Sequence, residues 1–404
     1  MARTAAYGGI TWRKGLLTTA CWRIMTGMNR RSRKLGIIAI PLLLIWALVI
    51  GADSQSFSEE LAKGDSVLGE RIAEGIVFDG RLWLRGTMGK NPLGDRSGAL
   101  VSLNLENQSR RVDFEQGVLD VERSDRNLCV LRRLHARGRE FVVSVWRKDA
   151  FKDLTQFEAS GDDEPLALLN TAGGPAVLST RTVRILATDT RAESLIELKG
   201  KLRSGVQIAA ASPADGGSIY VGFNRGEWGG GLQLVDLRSG VVANVERRDT
   251  KELCTGPLNS DCDPVTGIIP DSQNKDCVVA AVGLVHLGFS EGRILRVCGQ
   301  RVSLVAELAL PTDKKDAFRQ TEAFYGIAPA GDGGFWAITW RALYRFSANG
   351  NKEKEYSLPK LEPVSGVYLS RELPGAIVLR TDVNWAVSTS GYTPLIVPSD
   401  DAQR

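Results

Sequence analysis

Histidine is almost missing from this sequence: His135 and His286 are the only two in 404 residues. Neither belongs to a His-x-x-x-His pair, and none of the six cysteines forms a Cys-x-x-Cys spacing, so no zinc site is recognisable. Acidic residues are missing from one end. No Asp or Glu precedes Asp53, whereas eight of the 51 basic residues do. Setting those eight aside leaves 43 basic against 47 acidic residues, so the remainder is mildly acidic although the whole chain carries +4. Such a domain lacks the concentrated positive surface that nucleic acid requires, and nucleic acid is not an expected partner.

The acid-free end contains an uncharged apolar run at residues 35–52, preceded by Arg30, Arg31, Arg33 and Lys34. Read from Met25 or Met28, the order of basic region, apolar core and small or polar residues at 51–54 is that of a cleaved secretory peptide. Read from Met1, the same run is a single membrane anchor. Both readings place the rest of the chain outside the cytoplasm, in the periplasm, at the cell envelope or secreted. Cysteine placement agrees with an oxidising compartment. Cys254 and Cys262 flank a polar loop and are expected to close it, and Cys277 and Cys298 fall on strands expected to be neighbours. Cys129, between Leu128 and Val130, reads as a small buried apolar residue.

Beyond Ile76 one pattern recurs: a short apolar run, a Gly/Asp/Asn turn, then a second apolar run. First strands are expected near Ile76, Val118, Leu166, Gln207, Val265, Tyr325 and Val364. The second strands follow turn residues such as Asp79-Gly80, Asp215-Gly216 and Asp332-Gly333, which reverse a chain tightly. A second hairpin is clearest at Arg238-Ser239-Gly240 and Ala348-Asn349-Gly350. One unit is about 40 to 60 residues, the length of one four-stranded blade, and such a blade needs neighbours to cover both faces. The fold class is therefore all-β: a seven-bladed β-propeller of four-stranded antiparallel blades over residues 76–398. A short third unit and an insert in the fifth leave six and eight blades as alternatives. Residues 1–52 form the basic extension and the apolar export or anchor segment. Residues 53–75 are a linker or a ring-closing segment, read either as a short helix from Ser58 or as an edge strand, and 399–404 are a tail.

Asp-Gly-Gly-Phe-Trp-Ala at 332–337 and Val-Asp-Leu-Arg-Ser-Gly at 235–240 resemble segments of bacterial extracytoplasmic β-propellers. The resemblance covers roughly residues 76 to 397. It implies fold and compartment and leaves function open, because that superfamily includes enzymes, receptors and scaffolds. No Trp-Asp blade ending, kelch pattern or quinone-enzyme tryptophan motif points to a narrower family.

In a propeller the loops between second and third strands share one face with those leading to the next blade, around the mouth of the central channel. Here the former carry Arg96, Arg137, Arg181, Arg225, Arg341 and Arg380, with Trp228 and Trp340 among them. Arg forks grip carboxylates, sulfates and phosphates, and exposed indoles stack on sugars or peptides. This predicts a ligand-binding face for an anionic peptide, protein or glycan, on an exported non-catalytic binding or scaffolding module at the bacterial cell envelope. The alternative is an extracytoplasmic lyase or hydrolase using His135, His286 and nearby carboxylates at the channel mouth. Other motifs carry less. Acidic runs at 59–60 and 162–164 read as solvated turns, and residues 226–231 form no phosphate cradle because no helix follows them. Residues 261–268 lack calcium-ligand spacing. No cofactor is expected.

Overall fold

The computed structural model describes residues 71–398, apart from 88–96, 105, 108, 125–126, 136–137, 188–191, 204, 206, 253, 287–288, 311–320, 340, 358–366, 373–374 and 385–386. The apolar run at 35–52, the segment 53–70 and the tail 399–404 lie outside the described residues. Among the described residues the regular structure is β-strand, save for one 3-10 turn at Gly226–Trp228.

Six antiparallel sheets follow one another along the chain. The first has seven strands in sequence order: β1 (Arg71–Phe78), β2 (Arg81–Thr87), β3 (Gly98–Asn104), β4 (Arg110–Arg123), β5 (Leu128–Arg133), β6 (Glu140–Arg147) and β7 (Ala150–Glu158). Four four-stranded sheets come next. They are β8 (Pro165–Thr171) to β11 (Ser194–Glu197) through β9 (Gly174–Ser179) and β10 (Thr182–Ile185), then β12 (Gln207–Ala211), β13 (Ser218–Asn224), β14 (Leu232–Asp236) and β15 (Val242–Val245). After these come β16 (Val265–Pro270), β17 (Cys277–His286), β18 (Phe289–Cys298) and β19 (Arg301–Ala306), then β20 (Gly326–Pro329), β21 (Phe335–Ile338), β22 (Ala342–Phe346) and β23 (Lys352–Ser357). The last sheet has three strands, β24 (Val367–Glu372), β25 (Gly375–Asn384) and β26 (Val387–Pro398).

Local chemistry explains the strand ends. Asp79 and Gly80 both take positive φ, 54° and 67°, which gives the two-residue β1–β2 hairpin the twist of its strands. Asp236 accepts from the backbone N–H groups of Arg238 and Ser239, fixing the β14–β15 turn. Second strands such as β2, β5, β9 and β17 hold fully buried runs, including Leu82 to Leu84 and Val278 to Val282, because they are covered on both faces. Fourth strands such as β11 and β23 are mostly exposed edges.

The first strands stand side by side: β4 beside β8, β8 beside β12, β12 beside β16, β16 beside β20, β20 beside β24, and β24 back beside β1. This ring is the arrangement of a β-propeller. Its core lies between sheets. Ile219 and Phe223 of β13 pack with Leu178 and Val183 of the preceding sheet. Tyr220 and Leu232 pack with Val278 and Leu295 of the following one. Each such side chain contributes about 1.5–3 kcal/mol on full burial.

Strand β4 does double duty. Its first half pairs with β3 and its second with β5, and Val118 is matched to Gly98 on one side and Arg132 on the other. The change of partner occurs at Gly117, whose φ of 83° and close approach to the Arg133 carbonyl leave no room for a side chain.

Several boundaries differ from expectation. The first strand begins at Arg71, five residues before Ile76, because the Arg71–Thr87 pairing extends the hairpin past a bulge at Ile72/Glu74. Ser290 to Arg293 stay in register with β17 as part of β18, so the strands of that hairpin run further than the short apolar runs expected. Arg380, expected in a loop, lies with the residues up to Asn384 in β25, which pairs with β26.

Candidate functional site

In an antiparallel sheet the second-to-third connection and the exit of the fourth strand lie at the same end. At that end, across sheets β4–β7, β8–β11 and β12–β15, opens a cleft of about 1880 Å³. Leu119, Leu166 and Ile208, one from each of three successive first strands, line its inner part. Arg181, Arg225 and Trp228 reach it from two second-to-third loops, so three of the residues expected at the site share one cavity.

Trp228 ends the 3-10 turn that follows β13, and 69% of it is exposed. The turn is braced from behind. Asn224 Oδ1 accepts from the Gly226 N–H at 2.8 Å, and the Arg225 N–H donates to the Gly229 carbonyl at 2.8 Å. A Cβ on Gly230 would overlap the Phe223 carbonyl oxygen, and one on Gly231 would meet Ser260, so the glycine run lets two backbones touch. In that contact Gly230 N–H donates to the Ser260 carbonyl and Gly231 N–H to the Asp263 carbonyl, both at 2.9 Å.

The bracing loop is itself anchored. The Cys254–Cys262 disulfide closes it, as expected from the spacing. Asp263 and Arg293 of β18 form a buried ion pair at 2.7 Å, with side chains 6% and 5% exposed. Arg293 Nε also donates to the Pro257 carbonyl at 2.7 Å, and Asp263 Oδ2 accepts from the Asn259 N–H at 2.6 Å. Burial pushes the Asp263 carboxyl up to about 6 against the attraction of Arg293. The second disulfide, Cys277–Cys298, joins directly opposed residues at the base of the β17–β18 hairpin.

The cations of the cleft are largely paired. Arg181 meets Asp162 at 2.6 Å, and Arg133 meets Glu164 at 2.6 Å. Arg203 donates to the carbonyls of Gly230 and Ser260 and lies 3.8 Å from Glu246. Buried Gln233 holds the neighbouring chain, accepting from the Arg203 N–H and donating to Asn244 Oδ1 and the Lys201 carbonyl. The acidic run at 162–164, expected to be solvated throughout, divides: Asp162 and Glu164 are exposed, whereas Asp163 is buried. Asp163 accepts from the Arg181 N–H and the Thr182 hydroxyl, fixing the turn that carries Arg181.

The remaining expected residues lie elsewhere. Arg96, Arg137 and Trp340 are outside the described residues. Arg380 sits in β25 opposite Val367 and Thr393. Arg341 forms an ion pair with buried Glu322 at 3.2 Å on the β20–β23 sheet. His135 is exposed in the β5–β6 turn, its Nε2 3.3 Å from Glu140. His286 ends β17, three sheets further on, and His135 is not among the residues lining the cleft.

A half-buried acid pair carried no recognisable motif. Glu74 of β1 accepts from Arg85 Nε at 2.8 Å and from the Val121 N–H at 3.2 Å, while Asp120 of β4 accepts from the Leu168 N–H of β8 at 2.6 Å. The two carboxyls are hydrogen-bonded to each other. Burial, reinforced by the Glu74 charge, pushes Asp120 well above the usual carboxylate range. Burial also acts on Glu74, but Arg85 and the bond from Asp120 hold it below its ordinary value. Through these bonds the two carboxyls link three adjoining first strands, β1, β4 and β8. The available signal was a lone acid inside each apolar run, Ile72 to Ile76 and Val118 to Val121.

No protein-family model matches the chain, and no curated protein matches it. Among solved structures it is similar to the virginiamycin B lyase from Staphylococcus aureus, at 12% identity and a TM-score of 0.48 over 76% of this chain and 91% of that one. It is also similar to the β-propeller domain of the Trilobed protease from Pyrococcus furiosus, at 11% identity and a TM-score of 0.44 over 76% of this chain and 90% of that one.

Proposed function

We propose that this protein is an exported, seven-bladed β-propeller that acts as a non-catalytic binding module at the bacterial cell envelope, taking its ligand into the cleft beside Trp228. The blade count treats the seven-stranded sheet as two blades parted at Gly117, and treats β24–β26 as the seventh. Location outside the cytoplasm is supported by the two disulfides, which persist in oxidising compartments. The observation that carries the binding role is the exposed indole held out over a large concave cavity by a braced turn. An exposed indole bordering a concave polar site offers a ligand a large flat contact face.

Calorimetric titration with a panel of soluble polysaccharides and acidic peptides tests this. The wild type is expected to bind at least one member, and a combined Arg181→Ser, Arg225→Ser, Trp228→Ala variant is expected to bind it at least about tenfold more weakly. Equal binding by both proteins would refute the assignment.

A further inference from the structure

We infer that the occupant of this cleft is an extended, near-neutral glycan rather than an anionic peptide or a small anion. The inference rests on the cleft being the binding site and names its ligand class from the charge and shape of the lining.

Charge is the first ground. Asp162, Glu164, Glu197 and Asp261 line the same cavity as Arg133, Arg181, Lys201, Arg203 and Arg225, so opposite charges nearly cancel. An acidic peptide entering it would have to pull Arg181 from Asp162 and Arg133 from Glu164, leaving carboxylates facing its own. Such like-charge juxtaposition costs several kcal/mol and works against anionic partners. The same paired groups suit hydroxyls. Arg181 and Asp162 are both well exposed, 65% and 72%, so each keeps donors or lone pairs available to a ligand. A sugar ring offers neighbouring hydroxyls that donate to a carboxylate and accept from a guanidinium at once, without breaking the pair.

Shape is the second. A cleft of about 1880 Å³ exceeds the roughly 300–1,000 Å³ usual for a small-molecule pocket, so it fits a ligand extended along three sheets. Its lining combines paired charges with the apolar Leu119, Leu166 and Ile208. A glycan has both surfaces, hydroxyl edges and C–H faces, and the C–H faces also stack on the Trp228 indole. Arg225, which has no ion-pair partner among the described residues, lines the same cleft as that indole and adds one donor fork to it.

The test uses the exported protein with soluble glucan, mannan and xylan as neutral probes, and polygalacturonate and polyglutamate as anionic ones. Affinity electrophoresis and tryptophan fluorescence are read at low and high salt. At least one neutral polysaccharide is expected to bind, with affinity changing by less than about twofold with salt. Trp228→Ala is expected to weaken that binding at least about tenfold, with Trp228→Phe restoring much of it because a flat apolar ring remains. Salt-sensitive binding to the anionic probes alone, still abolished by Trp228→Ala, would overturn the glycan assignment and leave the cleft as the site. No binding to any probe, or neutral binding indifferent to Trp228→Ala, would overturn both.

Discussion

Replacing Cys254 and Cys262 with serine removes the closure of the loop on which the Trp228 turn rests. The bridge spans eight positions, and the chain-entropy relation puts its contribution at about 2.5 kcal/mol for a loop of that length. The loop is a surface insert held to the sheets by the Asp263–Arg293 pair and a few backbone bonds, so its loss is expected as local opening rather than global unfolding. The amides of Gly230 and Gly231 donate into that loop and report on it directly. Their hydrogen exchange is expected to accelerate by up to roughly 70-fold, the rate equivalent of about 2.5 kcal/mol, while amides of the buried second strands stay unchanged. Ligand affinity is expected to fall in step, because a mobile Trp228 must be ordered again on binding. Unchanged exchange at both glycines would show that the ion pair alone carries the brace, and the argument linking disulfide to indole would fail.

Asp263 should give a pH signature. Its carboxyl rises from an ordinary 3.8 to about 6 on folding, so the folded state holds the proton more tightly and the associated stability is present below about pH 4 and lost as pH rises through about 6. Urea unfolding should show a decline of about 3 kcal/mol over that range, and Asp263→Asn should flatten it; an unchanged slope in the variant contradicts the assignment. At the acid pair, Asp120→Asn mimics the protonated acid and should cost less than about 1 kcal/mol, whereas Glu74→Gln removes the carboxylate charge that faces Arg85 and should cost about 2 kcal/mol, both read from thermal melts. Equal costs would mean the proton is not held on Asp120. Gly230→Ala forces a Cβ onto the Phe223 carbonyl at a φ of 141° and should destabilise by about 2 kcal/mol, with a drop in ligand binding as a second readout. Burial, with the Glu122 charge, pushes the Cys129 thiol up to about 12, so a thiol reagent near neutral pH should label it only after unfolding.

Turn chemistry made the fold legible. Asp79-Gly80 and Asp236 act locally, within a few residues, and the covered second strands are uniformly apolar, so both could be read without knowing what packs on what. The two cysteine pairs were legible for the same reason, one closing a short loop and the other spanning a hairpin. Arg181, Arg225 and Arg341 fall on connections, as expected, but their electrostatic state was not legible. Arg181 and Asp162 stand nineteen residues apart on different connections, and only folding brings them to 2.6 Å. The same limit hid the meeting of Glu74 and Asp120, which belong to separate repeats. Strand extensions such as Arg380 to Asn384 were missed because polar residues in a ladder look like a loop until their cross-strand partners are known.

Strand β4 has a consequence for how the molecule comes apart. A ring of separate sheets can lose one at a time, each boundary yielding at its own loop. Between β3 and β5 no such boundary exists, because a single backbone is stitched on both sides through Val118. Residues 71–158 are therefore expected to melt as one block, and a chain nicked near Gly117 would damage two blades with one cut, whereas a nick between β11 and β12 would sever only a connection.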